Sequence, residues 1–228
     1  MVKKSCRVAL VLGASLLASS PGFTVPNTFH LMQIEQVIGG VNGNQNIQAI
    51  QLRMRFAGQN LVSQARLRAW NSAGASPVLV LDIPTDVPNG AAGARVLIVS
   101  PQFAATFPAS APDFVMTNVI PASYLAAGKL TFEDDLGTVF WSLAWGGGAY
   151  TGTNTGTIDN DADGNFNPPF PGVMQSANTQ AVRFPGAANA PSTNNAADYA
   201  LTAAAAVFTN NAGGNTTVPV ELLDLSVR

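Results

Sequence analysis

Apolar and polar side chains alternate along several short segments of this chain, and such alternation is typical of β-strands that bury one face. Every second residue is apolar from Ile50 to Phe56, and the same pattern recurs from Ala65 to Ala69. Both segments are therefore predicted to be half-buried strands whose polar side chains face outward. The outward basic side chains are those of Arg53, Arg55, Arg66 and Arg68.

Two further runs, PVLVLDI (77–83) and RVLIVS (95–100), are almost continuously apolar and bounded by proline or glycine. This pattern predicts strands covered on both faces. The stretch FAATF (103–107) predicts a short helix, while the prolines around it favour a connection without regular secondary structure. Residues 200–208 are compatible with either a late strand or a helical turn.

The segment KLTFEDDLGTVFWSLAW (129–145) predicts a hairpin whose turn lies at 134–137. Trp141 and Trp145 are expected to lie on one face of its second strand. Residues 146–197, rich in Gly, Asn, Thr and Pro, are predicted to form a long loop region. A loop region of that length inside a compact domain is usually functional or mobile.

Short strands joined by turn-rich connectors predict an all-β fold, an antiparallel β-sandwich with long loops. Residues 23–228 are expected to form a single domain of this kind, because about 200 residues can bury a sizeable core without disulfides. Residues 1–22 have a basic start, a short apolar run and small residues before a proline, which predicts a signal peptide. We therefore expect a secreted or cell-surface protein.

Charge, cysteine content and hydrophobicity argue against some classes of function for this chain. Three of the 11 basic residues and the single cysteine lie in the predicted signal peptide, so the remainder carries 8 basic and 13 acidic residues, a formal net charge of −5. Such a chain is not expected to bind nucleic acid, which requires clustered positive charge. No segment after the signal peptide is long and apolar enough to be expected to span a membrane.

Two segments resemble bacterial lamin-tail-type (LTD) domains: LAAGKLTFEDDLGTVFWSLAWG and QAVRFPGAANAPSTNNAADYALTAAA. The matching residues are Gly128, Leu130, Phe132, Asp135, Gly137 and Val139, then Arg183, Thr193, Asn194, Asn195, Asp198, Tyr199 and Leu201. The first half of the chain matches the family poorly. The resemblance implies an immunoglobulin-like β-sandwich without a catalytic signature, used as an accessory or surface module of exported proteins.

The stretch TIDNDADGNFNPPF (157–170) spaces acidic residues as calcium loops do. Asp159, Asp161, Asp163 and Asn165 are the candidate calcium ligands, with Gly164 at the sharp turn. The bidentate carboxylate that ends such loops is replaced by Phe170, so a further ligand would come from water or from Asp134, Asp135 or Asp198. The alternative is a turn in which carboxylates accept hydrogen bonds from backbone amides.

The four outward arginines are a candidate surface patch for an anionic partner, and the alternative is a solvated sheet face. His30 is the sole histidine, and no nucleophile or metal-hydrolase motif accompanies it, so no catalytic residues are expected. We expect a non-catalytic module for binding, adhesion or surface structure, with an extracellular protein or glycan as partner. The alternative is a carbohydrate-active protein, either a glycan-binding module or a carboxylate-dependent hydrolase.

Overall fold

The computed structural model describes residues 28–219, and the predicted signal peptide lies outside them. Within that range the chain forms twelve β-strands and two short α-helices. The strands are β1 Met32–Ile38, β2 Ala49–Met54, β3 Ala65–Trp70, β4 Val78–Asp82, β5 Arg95–Val99, β6 Phe114–Val115, β7 Gly128–Asp134, β8 Val139–Trp145, β9 Val182–Arg183, β10 Ala200–Leu201, β11 Val207–Thr209 and β12 Asn215–Thr217. The helices are α1 Pro101–Thr106 and α2 Asn195–Asp198.

Ten of these strands form two principal sheets. One sheet has six strands in the order β10-β9-β1-β2-β5-β6, and the other has four in the order β4-β3-β7-β8. β11 and β12 form a separate two-stranded hairpin. All neighbouring strands are antiparallel except β5 and β6, which run parallel. The all-β prediction is confirmed, with this one short parallel pair as a departure from a purely antiparallel arrangement.

The main hydrophobic core contains side chains of both principal sheets. Ile34 and Leu52 come from the six-stranded sheet, and Phe132, Trp141 and Trp145 come from the four-stranded sheet. Both tryptophans are completely buried in this core, as their predicted position on one strand face implies. Burial of such large side chains supplies most of the apolar driving force for folding.

A second core lies on the outer face of the six-stranded sheet. There Ile38 and Leu97 pack with Phe103 of α1 and Phe208 of β11. The helix begins after Ser100, whose side chain accepts a hydrogen bond from the Phe103 amide, so the predicted short helix is present. The six-stranded sheet is therefore covered on both faces, by the other sheet on one side and by α1 and the β11–β12 hairpin on the other.

This double cover makes the prediction of a half-buried β2 wrong. Every residue of β2 is buried, including Gln51 and Arg53. The covering segments come from far along the chain, since Gln51 accepts a hydrogen bond from the Thr209 amide. The predicted strand also ends early, at Met54, and leaves Phe56 46% exposed.

The other strand predictions fare better. β3 alternates between buried and half-buried residues, as expected for a strand with one outer face. β7 and β8 form the predicted hairpin, and β5 is buried over all but its first residue. β4 is covered less than predicted because it lies at the edge of its sheet, and Leu79 is 39% exposed there.

Candidate functional site

The long segment 146–197 contains little regular structure, yet buried asparagine side chains hold it against the sheets. Asn195 accepts a hydrogen bond from the Ala144 amide and donates one to the Ser142 carbonyl, so it pairs with the free edge of β8. Asn160 donates to the carbonyls of His30 and Phe140. Both asparagines are fully buried. The segment is thus a fixed cover of the sheet edge.

Two arginines of the β2 region also bind carbonyl groups of this segment. Arg55 donates to the backbone oxygens of Asp159 and Asn189, both within 2.9 Å, and to the side chain of Asn160. Arg53 donates to the backbone oxygen of Gly186 at 2.8 Å. Burial lowers the pKa of Arg53 and of Arg55, and both guanidinium groups remain charged beside the carbonyl oxygens. These side chains therefore face the loop segment.

A buried carboxylate is paired with three arginines of the six-stranded sheet. Glu35 on β1 is fully buried and accepts hydrogen bonds from Arg95 Nε at 2.7 Å and Nη2 at 3.0 Å. Arg53 Nη1 lies 3.1 Å from the same carboxylate, and Arg183 Nη2 lies 3.7 Å away. The hydrogen bond to Glu35 raises the pKa of Arg95, which is typical of a charge-assisted bidentate pair.

A second buried glutamate has the same role on the outer face of the four-stranded sheet. Glu133 on β7 binds Arg66 Nε at 2.8 Å and Arg68 Nη2 at 2.8 Å. The guanidinium of Arg68 and the ammonium of Lys129 lie 4.8 Å and 5.0 Å from the centre of the Trp70 ring. These are cation–π distances, so the half-buried Trp70 is already in contact with two cations.

The four candidate anion-patch arginines do not form one outward surface patch, because Arg53 and Arg55 are buried and lie in a different part of the fold from Arg66 and Arg68. Arg53 and Arg55 belong to the six-stranded sheet and its following loop, whereas Arg66 and Arg68 belong to the four-stranded sheet. Both segments form strands, as their alternation predicts, but β2 and β3 belong to different sheets although they follow each other in sequence. Each pair is bonded internally, to a buried glutamate or to loop carbonyls.

The candidate calcium ligands separate into two environments. Asp159 Oδ2 accepts a hydrogen bond from the Thr157 hydroxyl and lies 3.6 Å from His30 Nδ1. Asp161 and Asp163, by contrast, share one turn. Asp161 Oδ1 accepts from the amides of Asp163 and Asn165, and Asp163 Oδ1 accepts from the Asn165 amide as well.

Asp161 is the unusual member of this group. Its residue is 2% exposed, and its Oδ2 atom is buried without a hydrogen-bond partner. The Asn165 amide donates to the carboxylates of both Asp161 and Asp163, so the two acids are close neighbours. Burial raises the pKa of Asp161, while the hydrogen bond from the Asn165 amide lowers the pKa of the exposed Asp163.

The backbone around these two carboxylates requires a glycine. Gly164 has a φ of +71°, and a Cβ atom there would lie 2.6 Å from the Gly156 carbonyl oxygen. Asn165 stays inside the turn, where its Oδ1 accepts a hydrogen bond from the Asn167 amide. The predicted sharp turn at Gly164 is therefore present.

Two of the three acids proposed as additional calcium ligands, Asp134 and Asp198, are bonded elsewhere. Asp134 Oδ1 accepts from the Thr138 amide in the hairpin turn. Asp198 accepts from the Ser192 and Thr193 hydroxyls and from the Asn194 amide. Between residues 28 and 219, no three His, Cys, Asp or Glu side chains form a group that could hold a metal ion. Any cation at Asp161 and Asp163 would take its other oxygens from amides, backbone or water.

Three connections meet at one end of the two sheets, and we name them the loop end: residues 55–64, 134–138 and 156–165. The Asp135 amide donates to the Gln64 carbonyl, and the Thr157 amide donates to the carbonyl of Val139, next to the hairpin turn. Large apolar side chains of the loop end are exposed, namely Leu136 (93%), Ile158 (74%), Leu61 (47%) and Phe56 (46%).

The residues of the lamin-tail-like closing segment have structural roles here. The Asn194 side chain accepts a hydrogen bond from the Ala197 amide and so begins α2. The buried Tyr199 hydroxyl accepts from Trp141 Nε1 and donates to the Ile34 carbonyl, which connects the two principal sheets. Burial raises the pKa of Tyr199 well above its usual range.

No protein-family model matches this chain, and no curated protein sequence is similar to it. None of the helices between residues 28 and 219 has the length and apolar character needed to cross a membrane.

The sequence reasoning missed the residues that hold the site together. Glu133 could have been found, because it alternates with Lys129 and Thr131 on the predicted outer face of its hairpin strand. Asn195 is among the residues that match the lamin-tail motif, but Asn154 and Asn160 carry no such signal. They are two among many asparagines in turn-rich sequence, and nothing in their spacing indicates their partners in β8.

Proposed function

We propose that this protein is a non-catalytic secreted or cell-surface module that binds an extracellular protein or glycan through its loop end. The observation that carries the proposal is the set of four exposed apolar side chains on connections that hydrogen-bond to the sheets and to each other. Single exposed apolar residues are common on any protein surface. Several on neighbouring connections at one end are typical of an interaction surface.

The backbone of the loop end supports this function because it is held before any partner arrives. Arg55 binds the Asp159 carbonyl, and Asn160 binds the carbonyls of His30 and Phe140. A surface whose backbone is already ordered loses less conformational entropy on binding. Loops held on a rigid strand scaffold are a common place for recognition.

The proposal includes a finer fold assignment, an immunoglobulin-like sandwich of lamin-tail type. Its support is that the motif residues of the resemblance have definite positions in the two-sheet arrangement. Gly137 lies in the hairpin turn with a φ of +90°, and Tyr199 bonds to both sheets. Secretion or surface location is supported by the pattern of charge and apolar residues in positions 1–22.

The carbohydrate-active alternative has less support. Trp141 and Trp145 are completely buried, and the ring of Trp70 is in contact with Arg68 and Lys129. The buried glutamates Glu35 and Glu133 lie in different sheets, each bonded to arginines. Stacking of sugars on tryptophan and catalysis by a carboxylate pair therefore have fewer groups available among the described residues.

The proposal is tested by binding of the purified exported chain to immobilised polysaccharides and to the envelopes of intact bacterial cells. Leu136→Ser and Ile158→Ser remove exposed apolar side chains from the loop end. Val173→Ser is the matched control, since Val173 is 50% exposed and its neighbour Met174 bonds to Leu125, near the opposite end of β7.

We expect the protein concentration needed for half-maximal binding to rise at least tenfold for the two loop-end variants and to stay unchanged for the control. Equal binding by all variants would place the interaction elsewhere. Release of soluble sugar fragments from any polysaccharide would show that the protein is a hydrolase and would contradict the proposal.

A further inference from the structure

We propose that a calcium ion binds between the carboxylates of Asp161 and Asp163. The first observation is Asp161 Oδ2, a carboxylate oxygen buried without any hydrogen-bond partner in a residue that is 2% exposed. Buried polar atoms nearly always have a partner, and an exception calls for an ordered water, an ion or a chemical role. A cation beside Oδ2 supplies that partner.

The second observation is that the carboxylates of Asp161 and Asp163 both accept a hydrogen bond from the Asn165 amide, at 3.2 Å and 2.9 Å, so they are close neighbours. Two neighbouring carboxylates repel each other, and a bound cation relieves that repulsion. The basic side chains nearby are engaged elsewhere: Arg55 binds loop carbonyls, and His30 faces Asp159. The positive charge that the pair requires is thus not provided by these side chains.

The chemistry of the surroundings selects calcium among the common cations. The side chains of this turn offer oxygen atoms and no sulfur or imidazole, which disfavours zinc. The turn is irregular, and calcium accepts six to eight oxygens in flexible geometry, whereas magnesium demands a near-ideal octahedron. With two carboxylates and the remaining oxygens from amides, backbone or water, the dissociation constant should be about 10⁻⁴–10⁻³ M, as in extracellular modules.

The site would stabilise the loop end independently of any binding partner. Asp161 is paired with Ser192 across an isolated β-bridge, and Asn160 and Ser192 are joined by a backbone hydrogen bond. A calcium ion on Asp161 would therefore connect residues 157–165 more firmly to the segment that leads into α2. The calcium site is tested by thermal stability, whereas the proposed function, binding at the loop end, is tested by binding to a partner. Either proposal can therefore fail while the other stands.

The test is thermal unfolding and titration calorimetry of the purified exported chain in chelator-treated buffer at pH 7. Calcium at about ten times its dissociation constant should raise the melting temperature by roughly 3–6 °C, and magnesium at the same concentration should raise it by less. Asp161→Asn and Asp163→Asn should abolish the calcium-dependent rise. Asp159→Asn is the matched control, because its carboxylate bonds to Thr157 and lies outside the pair, and it should keep the rise.

Loss of the response in Asp161→Asn is informative only if that variant is folded. Without calcium it should melt no lower than the wild type, since the substitution removes a buried unpaired carboxylate, and circular dichroism should be unchanged. The absence of a melting shift in the wild type at 10 mM calcium, or an equal shift in Asp161→Asn, would overturn the proposal. In the first case the two carboxyl groups would share a proton.

Discussion

Lys129 lies in β7 with its ammonium group near the Trp70 ring and 2.9 Å from the Thr153 carbonyl. Burial lowers the pKa of Lys129 to about 8, and the nearby Glu133 partly opposes that effect. In the unfolded chain the pKa of lysine is about 10.4. The folded protein therefore binds fewer protons than the unfolded chain between pH 8 and about 10.4, and the contribution of this residue to stability rises with pH in that window.

Comparison with Lys129→Met makes this pH dependence measurable. The free energy of unfolding of the wild type, relative to the variant, should rise by about 1–3 kcal/mol between pH 7 and pH 10. The upper figure is a limit, because the contact with Trp70 favours the ammonium form. Urea unfolding of both proteins at both pH values checks it. An identical difference at pH 7 and pH 10 would show that Lys129 keeps an ordinary pKa.

Two buried tyrosines bear on that comparison. Burial raises the pKa of Tyr150 to about 12 and raises that of Tyr199, so both tyrosines remain neutral at pH 10 in the folded state. Tyr199 is present in both proteins, so its contribution cancels in the difference, whereas Tyr150 donates to the same Thr153 carbonyl as Lys129 and is coupled to the substitution.

At the scale of elements, the pairing of β3 with β7 depends on a buried ion cluster. Glu133 is opposite Arg66 in the strand register and is fully buried, whereas the side chains of Arg66 and Arg68 are 22% and 24% exposed. Removing this carboxylate would leave Arg66 and Arg68, neighbours on one face of β3, without the acid that both of them contact. Removing one partner of a buried ion pair destabilises a protein because the remaining charges lose their compensation.

Glu133→Gln should therefore lower the free energy of unfolding by about 2–4 kcal/mol, the lower part of the range reflecting the partial exposure of the arginines. Asp82→Asn is the matched control, because Asp82 is opposite Arg66 on the other side but lies on the exposed edge strand. That variant should change stability by less than about 1 kcal/mol. Denaturant unfolding at pH 7 measures both. Equal effects of the two substitutions would contradict the assigned role of Glu133.

β2 and β3 have the same alternation of apolar and polar residues, yet only one of them has an exposed face. The alternation predicts both strands, and β3 has the expected outer face. The outer face of β2 is covered by residues such as Thr209, 158 positions from the Gln51 side chain that it contacts. Periodicity reports local geometry, and it carries no information about which distant segment covers a face.

The candidate calcium ligands were likewise predictable from the sequence only in part. The spacing of Asp159, Asp161 and Asp163 predicted three neighbouring carboxylates, and Gly164 correctly indicated a sharp turn. Only Asp161 and Asp163 share that turn, because Thr157 and His30 lie against Asp159. Asp161 Oδ2 lacks a hydrogen-bond partner because the surrounding loops bury it, and the spacing of residues does not reveal that burial.

At the scale of the whole molecule, the two sheets and the long segment 146–197 behave as one connected structure. Asn154 joins Ser142, Phe166 and Asn195, and Asn195 pairs with the edge of β8. An unpaired strand edge is a common site of aggregation, and here the segment covers it. The proposed binding function rests on this order, since a loop end with a fluctuating backbone would not present fixed apolar side chains.

Amide hydrogen exchange of the purified protein tests that order most directly. Peptides that cover residues 142–145 and 154–166 should both be protected, with exchange at the amides of Ala144 and Phe166 slowed by at least a thousandfold relative to an unstructured peptide. Both amides donate hydrogen bonds in this structure, to Asn195 and to Asn154. Protection of β8 accompanied by unprotected exchange throughout 154–166 would contradict a held loop end, and with it the binding surface proposed for this protein.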